Sequence, residues 1–322
     1  DFLADLERRL AVFDEHPSGL TPAIVHDSTL GLLRSKDLVE LDEDLRRERH
    51  WFEAQLAQVA ADLRERNPTE DGAMPAAWDA LRPVLERRVA SLLPLSLHDL
   101  QRFAHEVEQL ARALERRPIV GGYTVWAGLE TWAAAWLGYV CGSLLVRLER
   151  FEALAPLLTS TWTDQNEYAE QLVWLPGETG HALGLALAPE GQQWLSPAWE
   201  FLTMRSLATM DWLRERYPEL SAEAEPRRSM AQFDMLVCIR CGHIEHRAAA
   251  FFELARDAAA EFALRLHENP HLRERIAAAL GMTLADFDDA APAHLREAQG
   301  FPGGFMDHGA AANLLEHGRA RV

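Results

Sequence analysis

The sequence predicts an all-α fold, a multi-helix globular array of roughly ten to twelve helices around a long, buried, tryptophan-rich central helix. Three observations support this class. Apolar residues recur at three- and four-residue steps nearly everywhere, no stretch alternates convincingly as a strand would, and Pro or Gly breaks separate the periodic segments. Apolar residues make up 48% of the 322 residues, enough for a sizeable core.

Each helix is predicted from its apolar spacing and from the breaks that flank it. The predicted helices cover 1–14, 40–66, 76–93, 97–116, 123–155, 198–216 and 229–267, and shorter helices fill 270–319. The segment 229–267 is predicted as one continuous helix. We interpret 1–117 as an N-terminal helical part and 118–322 as a larger helical part built around 123–155 and 229–267. One continuous domain is the alternative, and since the chain begins at Asp1, a fragment of a longer protein is a further one.

The composition excludes some partners and indicates a compartment. With 32 basic against 50 acidic residues the net charge is −18, which argues against nucleic acid as the main partner. Lys36 is the one lysine among many arginines, and Asn and Ile are scarce, which indicates a GC-rich bacterial genome. Three cysteines do not make a disulfide framework, and charges run through residues 1–14 where a signal peptide would be apolar. We therefore expect a cytoplasmic protein.

The stretch 119–146 is the most apolar part of the chain, and Glu130 is its one charged residue. It is long enough to span a bilayer, and Gly138-x-x-x-Gly142 is the spacing that lets membrane helices pack closely. However, a carboxylate near the centre of a membrane helix costs roughly 3 kcal/mol. We therefore predict a buried central helix, whose glycines mark a close helix crossing or a contact between copies. A membrane helix is the alternative.

The segment 151–226 is acidic and aromatic. It holds 12 acidic residues and 3 arginines, a local charge of −9, together with five of the ten tryptophans. Its centre, 175–198, is rich in Gly and Pro, and long loops of this kind are often functional. Tryptophans beside carboxylates suit a cationic, sugar or protein ligand, although they also suit a core with a solvated surface. The predicted ligand or partner surface consists of Trp162, Trp174, Glu178, His181, Trp194 and Trp199.

Two further patterns have the spacing of metal sites. Cys238, Cys241 and His246 match the first three positions of a zinc knuckle, C-x2-C-x4-H, but the fourth position holds Phe251. His243 is the nearest substitute. The competing interpretation is that both cysteines belong to the apolar stripe of a helix, where free cysteine is a common core residue. We favour core cysteines and predict no metal, with zinc as the alternative.

The segment His267-Glu268-Asn269-Pro270-His271 has the residue types of the zinc-protease pattern H-E-x-x-H, but not the helical geometry that the pattern requires. That chemistry needs both histidines on one helical face, and Pro270 interrupts the helix between them. Asn269 and Pro270 instead predict the N-cap and the first residue of a new helix. The sequence contains neither the phosphate-binding G-x-x-x-x-G-K-[ST] nor the nucleophile motif G-x-S-x-G.

These observations predict a non-enzymatic helical interaction or regulatory module: an adaptor, a sensor or a scaffold subunit of a larger assembly. Its partner would be another protein or a second copy of the chain, and it would need no cofactor. The first alternative is an enzyme or ligand-binding protein with its site in the loop 174–199, where Glu178 and His181 would act as an acid/base or metal pair. In the simpler interpretation, His181 has no catalytic or metal-binding role and only forms hydrogen bonds. The second alternative is membrane association through 119–146.

Overall fold

The structure, a computed structural model, describes residues 20–64, 66–67, 70, 72–115, 126, 129–163, 169–171, 210–218, 225–241, 256–298 and 308–318. Within these ranges the chain forms twelve α-helices, which confirms the all-α prediction. They are α1 (Pro22–Ser35), α2 (Leu38–Arg64), α3 (Ala73–His98), α4 (Leu100–Glu115), α5 (Leu129–Arg147), α6 (Ala155–Thr159), α7 (Asp211–Arg216), α8 (Glu225–Cys241), α9 (Arg256–Glu268), α10 (Pro270–Ala279), α11 (Leu284–Ala298) and α12 (His308–His317). A 3-10 turn, Phe151–Leu154, precedes α6.

One short β ladder accompanies the helices. Strands β1 (Thr161–Thr163) and β2 (Ala169–Gln171) pair antiparallel, with Trp162 opposite Glu170. Each strand has three residues, too few for an alternating pattern to stand out in the sequence. The ladder lies against α4 and leaves the fold class unchanged.

Helix α5 is the buried central helix. Every described side chain from Trp132 to Val146 is buried, and Trp132 and Trp136 are among the largest side chains that are completely enclosed. The helix ends before the predicted 155, because Glu149 adopts a left-handed conformation with φ of 53° and the chain turns there. Among the described helices, none combines the length and the apolarity needed to cross a bilayer.

A close helix crossing joins α5 to α8. A methyl group added at Gly142 would overlap the aromatic ring of Phe233, so the absence of a side chain lets the two helices approach. Phe233 is itself completely buried and packs edge-on against Tyr139, with ring centroids 5.2 Å apart. The prediction that the glycine spacing marks a close crossing is therefore confirmed for Gly142.

The prediction of one continuous helix over 229–267 is wrong. The structure describes two helices there, α8 and α9, and they lie side by side. Arg228 of α8 forms an ion pair with Glu261 of α9. Along a straight helix those residues would be about 50 Å apart. The apolar spacing is the same in both segments, so periodicity alone did not distinguish a long helix from a helical pair.

Helix α3 is the second central element. It contacts α1, α2, α4 and α5, and it continues through Pro83 and Pro94, which lie inside the helix. It is longer than the predicted 76–93. Proline removes a backbone donor and usually breaks a helix, but here every residue from Val84 to Ser96 is buried among the four neighbours, which compensates for this. The predicted helix 1–14 and most of 198–216 lie outside the described residues, and the proposed boundary at 117/118 stays a prediction.

Candidate functional site

A charged cleft opens between α2 and α4. Both helices pack on α3, and the groove that they leave between them has a volume of about 380 Å³. This arginine cleft is lined by Asp42, Leu45, Arg46 and Arg49 of α2 and by Gln101, Arg102, His105 and Glu106 of α4.

Helical periodicity explains why these side chains converge. Asp42, Arg46 and Arg49 are four and three residues apart, and so lie on one face of α2. On α4, Arg102 and Glu106 are four residues apart and share one face. The start of α4 is fixed by the Asp99 side chain, whose Oδ1 accepts a hydrogen bond from the Arg102 backbone N–H at 3.1 Å.

The floor of the cleft is a buried carboxylate shared by two arginines. Glu106 accepts a hydrogen bond from Nη1 of Arg49 at 2.9 Å and another from Nη2 of Arg88 at 2.7 Å. Arg88 is buried behind the cleft, donates to the Ser91 hydroxyl and lies over the ring of Phe52. Glu106 therefore fixes Arg49 at the cleft surface and balances the charge of Arg88 in the core.

A second buried ion pair adjoins the first. Nε and Nη2 of Arg87 donate to the two carboxylate oxygens of Glu48, at 2.8 and 2.7 Å, in the bidentate geometry favoured by guanidinium groups. The Arg87 guanidinium also lies 3.7 Å from the ring centroid of Trp51. Glu48 and Arg87 thus neutralise each other's charge at the α2–α3 interface.

The rim of the cleft is formed by Arg102. Its Nε and Nη2 donate to the two oxygens of Asp42, at 2.6 and 3.2 Å, and its Nη1 donates to Asp99 at 2.7 Å. These hydrogen bonds raise the pKa of Arg102. They also lower the pKa of Asp42, mainly through its hydrogen bond with Arg102.

The residues that line the cleft include more basic than acidic groups, whereas the chain as a whole is acidic. Three guanidinium groups and one imidazole face two carboxylates, in a protein of net charge −18. Among the described residues, Arg49 donates through Nη1 to Glu106 and leaves Nε and Nη2 without a hydrogen bond, and the His105 ring forms none. Such donors, held at a concave surface, bind carboxylate or phosphate groups.

A separate polar cluster joins α1 to α7. Nε2 of the buried His26 contacts the Tyr217 hydroxyl at 3.0 Å, and its Nδ1 contacts Oδ1 of Asp27 at 3.1 Å. Arg216 donates to both oxygens of Asp27. The Arg216 hydrogen bond lowers the pKa of Asp27 to about 2, whereas burial lowers the pKa of His26. Burial thus favours the neutral imidazole, although the Asp27 carboxylate acts in the opposite direction.

The predicted ligand surface of the acidic segment is not described. Trp174, Glu178, His181, Trp194 and Trp199 lie outside the described residues, and of Trp162 the structure gives the backbone in β1 alone. Both the partner surface and the alternative acid/base pair therefore stay predictions.

The cysteine prediction is tested only in part. Cys238 is completely buried in α8, as the core interpretation expects. Cys241 ends that helix, while His243 and His246 lie outside the described residues. No cluster of three or more metal-binding side chains occurs in the described ranges. Burial raises the pKa of Cys141, the third cysteine, to about 12.

The H-E-x-x-H segment is a helix junction. The Asn269 side chain accepts a hydrogen bond from the Leu272 N–H at 3.0 Å, and Pro270 is the first residue of α10, as predicted. His267 contacts the Leu315 carbonyl through Nδ1, whereas the side chain of His271 is 95% exposed. The two histidines have different surroundings and do not form a zinc pair.

Fold and site together define an all-α protein with an arginine-lined cleft between two helices. No family model matches the chain, and no curated protein or solved structure is significantly similar to it.

The sequence did not indicate the cleft, because its most conspicuous site patterns were carboxylates and metal ligands elsewhere in the chain. The available signal was basic residues three positions apart on each helix, Arg46 with Arg49 and Arg102 with His105. Either helix alone also fits an ordinary solvated face, and the sequence does not show that the two faces meet.

Proposed function

We propose that the protein is a non-enzymatic helical binding module with a regulatory role, and that it binds a small organic anion in the arginine cleft. The observation that carries this proposal is the convergence of three arginines and His105 on one cleft of about 380 Å³. That volume is within the usual range for small-molecule sites.

The lining favours a compact polar anion. Leu45 is the one apolar residue among those that line the cleft, so a polar ligand finds hydrogen-bonding side chains on most sides. Carboxylate and phosphate groups both accept two parallel hydrogen bonds from a guanidinium, which makes either a suitable ligand group. The strongly negative chain argues against a long polyanion, which would extend beyond the cleft.

Calorimetric titration tests this proposal directly. The chain would be titrated with citrate, succinate and inorganic phosphate, and with glycerol as an uncharged control. We expect at least one anion to bind with Kd near or below about 1 mM and to raise the melting temperature, since a ligand that binds the folded state stabilises it. Absence of binding by every anion at roughly 10 mM would contradict the proposal.

Two variants assign the binding to the cleft. His105→Gln should weaken binding with little effect on the fold, because the His105 side chain is exposed. Arg49→Gln should weaken binding by roughly tenfold, since it removes a charged donor. The control for both is Arg112→Gln on α4, the helix of His105, where Arg112 is exposed and pairs with Glu108 outside the cleft. Equal affinities in all three variants would place the anion elsewhere.

A further inference from the structure

The rim of the arginine cleft already holds a carboxylate. Asp42 binds Arg102 through both oxygens, and the two residues are 60 positions apart in the chain. This paired geometry is the one that a carboxylate ligand would adopt on Arg102. The Asp42 side chain is 58% exposed and that of Arg102 is 25% exposed, so the contact lies where a ligand would arrive.

Arg102 does not depend on Asp42 for its position. Asp99 accepts from Nη1 of Arg102 at 2.7 Å and from its backbone N–H at 3.1 Å. If Asp42 moved away, Asp99 would still hold the guanidinium at the rim. The Asp42 carboxylate is largely exposed, so water solvates it when it leaves Arg102, and this offsets much of the cost of replacing it.

We infer that Asp42 is a built-in competitor of the ligand: in the occupied cleft, an acid group of the ligand takes the place of Asp42 on Arg102. This inference rests on the proposed anion site and names its regulation. Replacing one carboxylate by another gains nothing by itself. The gain comes from a second acid group that reaches Arg49 and His105. The ligand class is therefore a compact dianion with two acid groups, and a monoanion binds poorly.

Removal of the competitor provides the test. Asp42→Asn should tighten the binding of succinate by roughly two- to fivefold, the range expected when an exposed ion pair no longer competes. It should also improve acetate binding relative to succinate binding, because a single acid group then suffices to occupy Arg102.

A matched variant separates competition from a general charge effect. Asp44→Asn makes the same chemical change on the same helix, at a residue that pairs with Arg47 and does not line the cleft. Competition predicts tighter binding for Asp42→Asn alone, and predicts that the difference persists at high salt, where long-range charge effects are screened.

Each result supports or overturns the inference. If the unmodified chain binds succinate and Asp42→Asn binds it no better than Asp44→Asn does, Asp42 is a tether between α2 and α4, and the proposed anion site still stands. If neither the unmodified chain nor Asp42→Asn binds any anion, the site and the competitor both fail. Binding by Asp42→Asn alone would overturn the inference, because the ligand would then fail to displace Asp42 in the unmodified chain.

Discussion

Glu48 accepts two hydrogen bonds from Arg87 inside the protein, with the two side chains only 3% and 2% exposed. The pair joins α2 to α3, so the interface beside the cleft rests on charge as well as on apolar packing. A buried charge that loses its partner is much more costly than a lost surface contact.

Glu48→Gln should therefore reduce the free energy of unfolding by about 3–5 kcal/mol, because it leaves the Arg87 charge buried without its carboxylate. Urea denaturation measures this change. The double variant Glu48→Leu with Arg87→Met should recover much of the loss, since no buried charge remains. Arg112→Gln, which breaks the exposed pair with Glu108, should cost less than about 1 kcal/mol. Similar costs for the buried and the exposed pair would contradict the burial argument.

Gly142→Ala should destabilise the protein by about 1–3 kcal/mol, because the added methyl group overlaps the buried Phe233 ring and forces α5 and α8 apart. The control is Gly31→Ala in α1, where the new methyl group meets open space. That variant should stabilise the protein by up to about 1 kcal/mol through helix propensity. Thermal or urea unfolding compares the two, and a neutral Gly142→Ala would show that the crossing is looser than the structure indicates.

The stability of the α1–α7 contact should depend on pH through His26. Burial lowers its pKa below the usual 6.5, so just below pH 6.5 the unfolded chain takes up a proton that the folded chain resists. The free energy of unfolding should therefore fall as pH decreases through that window, and rise as pH increases. The neighbouring charges act in both directions, since Asp27 raises the pKa of His26 while Arg216 and Arg34 lower it.

Urea denaturation at several pH values checks this slope in the unmodified chain and in His26→Gln. The variant should lose the His26 contribution to the pH dependence. His271→Gln serves as the control, since that imidazole is exposed to solvent and should leave the slope unchanged. If both variants keep the slope of the unmodified chain, another group is responsible.

Asn269→Ala should cost about 1 kcal/mol of stability, because the Leu272 N–H at the start of α10 loses its acceptor. His271→Ala, two residues further on, should be nearly neutral. The contrast follows from one capping hydrogen bond, which Asn269 forms and His271 does not. The opposite order, with His271 the more costly position, would contradict the assignment of a helix junction.

Features set by neighbours in sequence were predictable. Asn269 and Pro270 predicted a helix start because capping depends on residues only three positions apart. Gly142 predicted a close crossing because a residue without a side chain lets any neighbouring helix approach closely. Burial of the segment around Trp132 and Trp136 followed from its lack of charges.

Features set by distant residues were not predictable. Asp42 and Arg102 are 60 positions apart, and neither helix indicates which face of the other it meets. The side-by-side packing of α8 and α9 was missed for the same reason, because apolar spacing describes a helix and not its neighbour. Buried Arg88 was also unexpected, because arginine usually lies at the surface. Its burial requires a tertiary partner such as Glu106, which offsets the loss of solvation.

The contrast between the arginines of the cleft and the negative charge of the whole chain affects the rate at which an anion binds. An anion that approaches the chain meets a net charge of −18 before it reaches the three guanidinium groups. At low ionic strength this long-range repulsion slows the encounter, and salt screens it over a distance of roughly 10 Å at 0.1 M. Association should therefore become faster as salt is added, even while the short-range ion contacts weaken and dissociation also accelerates. The cleft would exchange its ligand most rapidly under conditions where it holds that ligand least tightly.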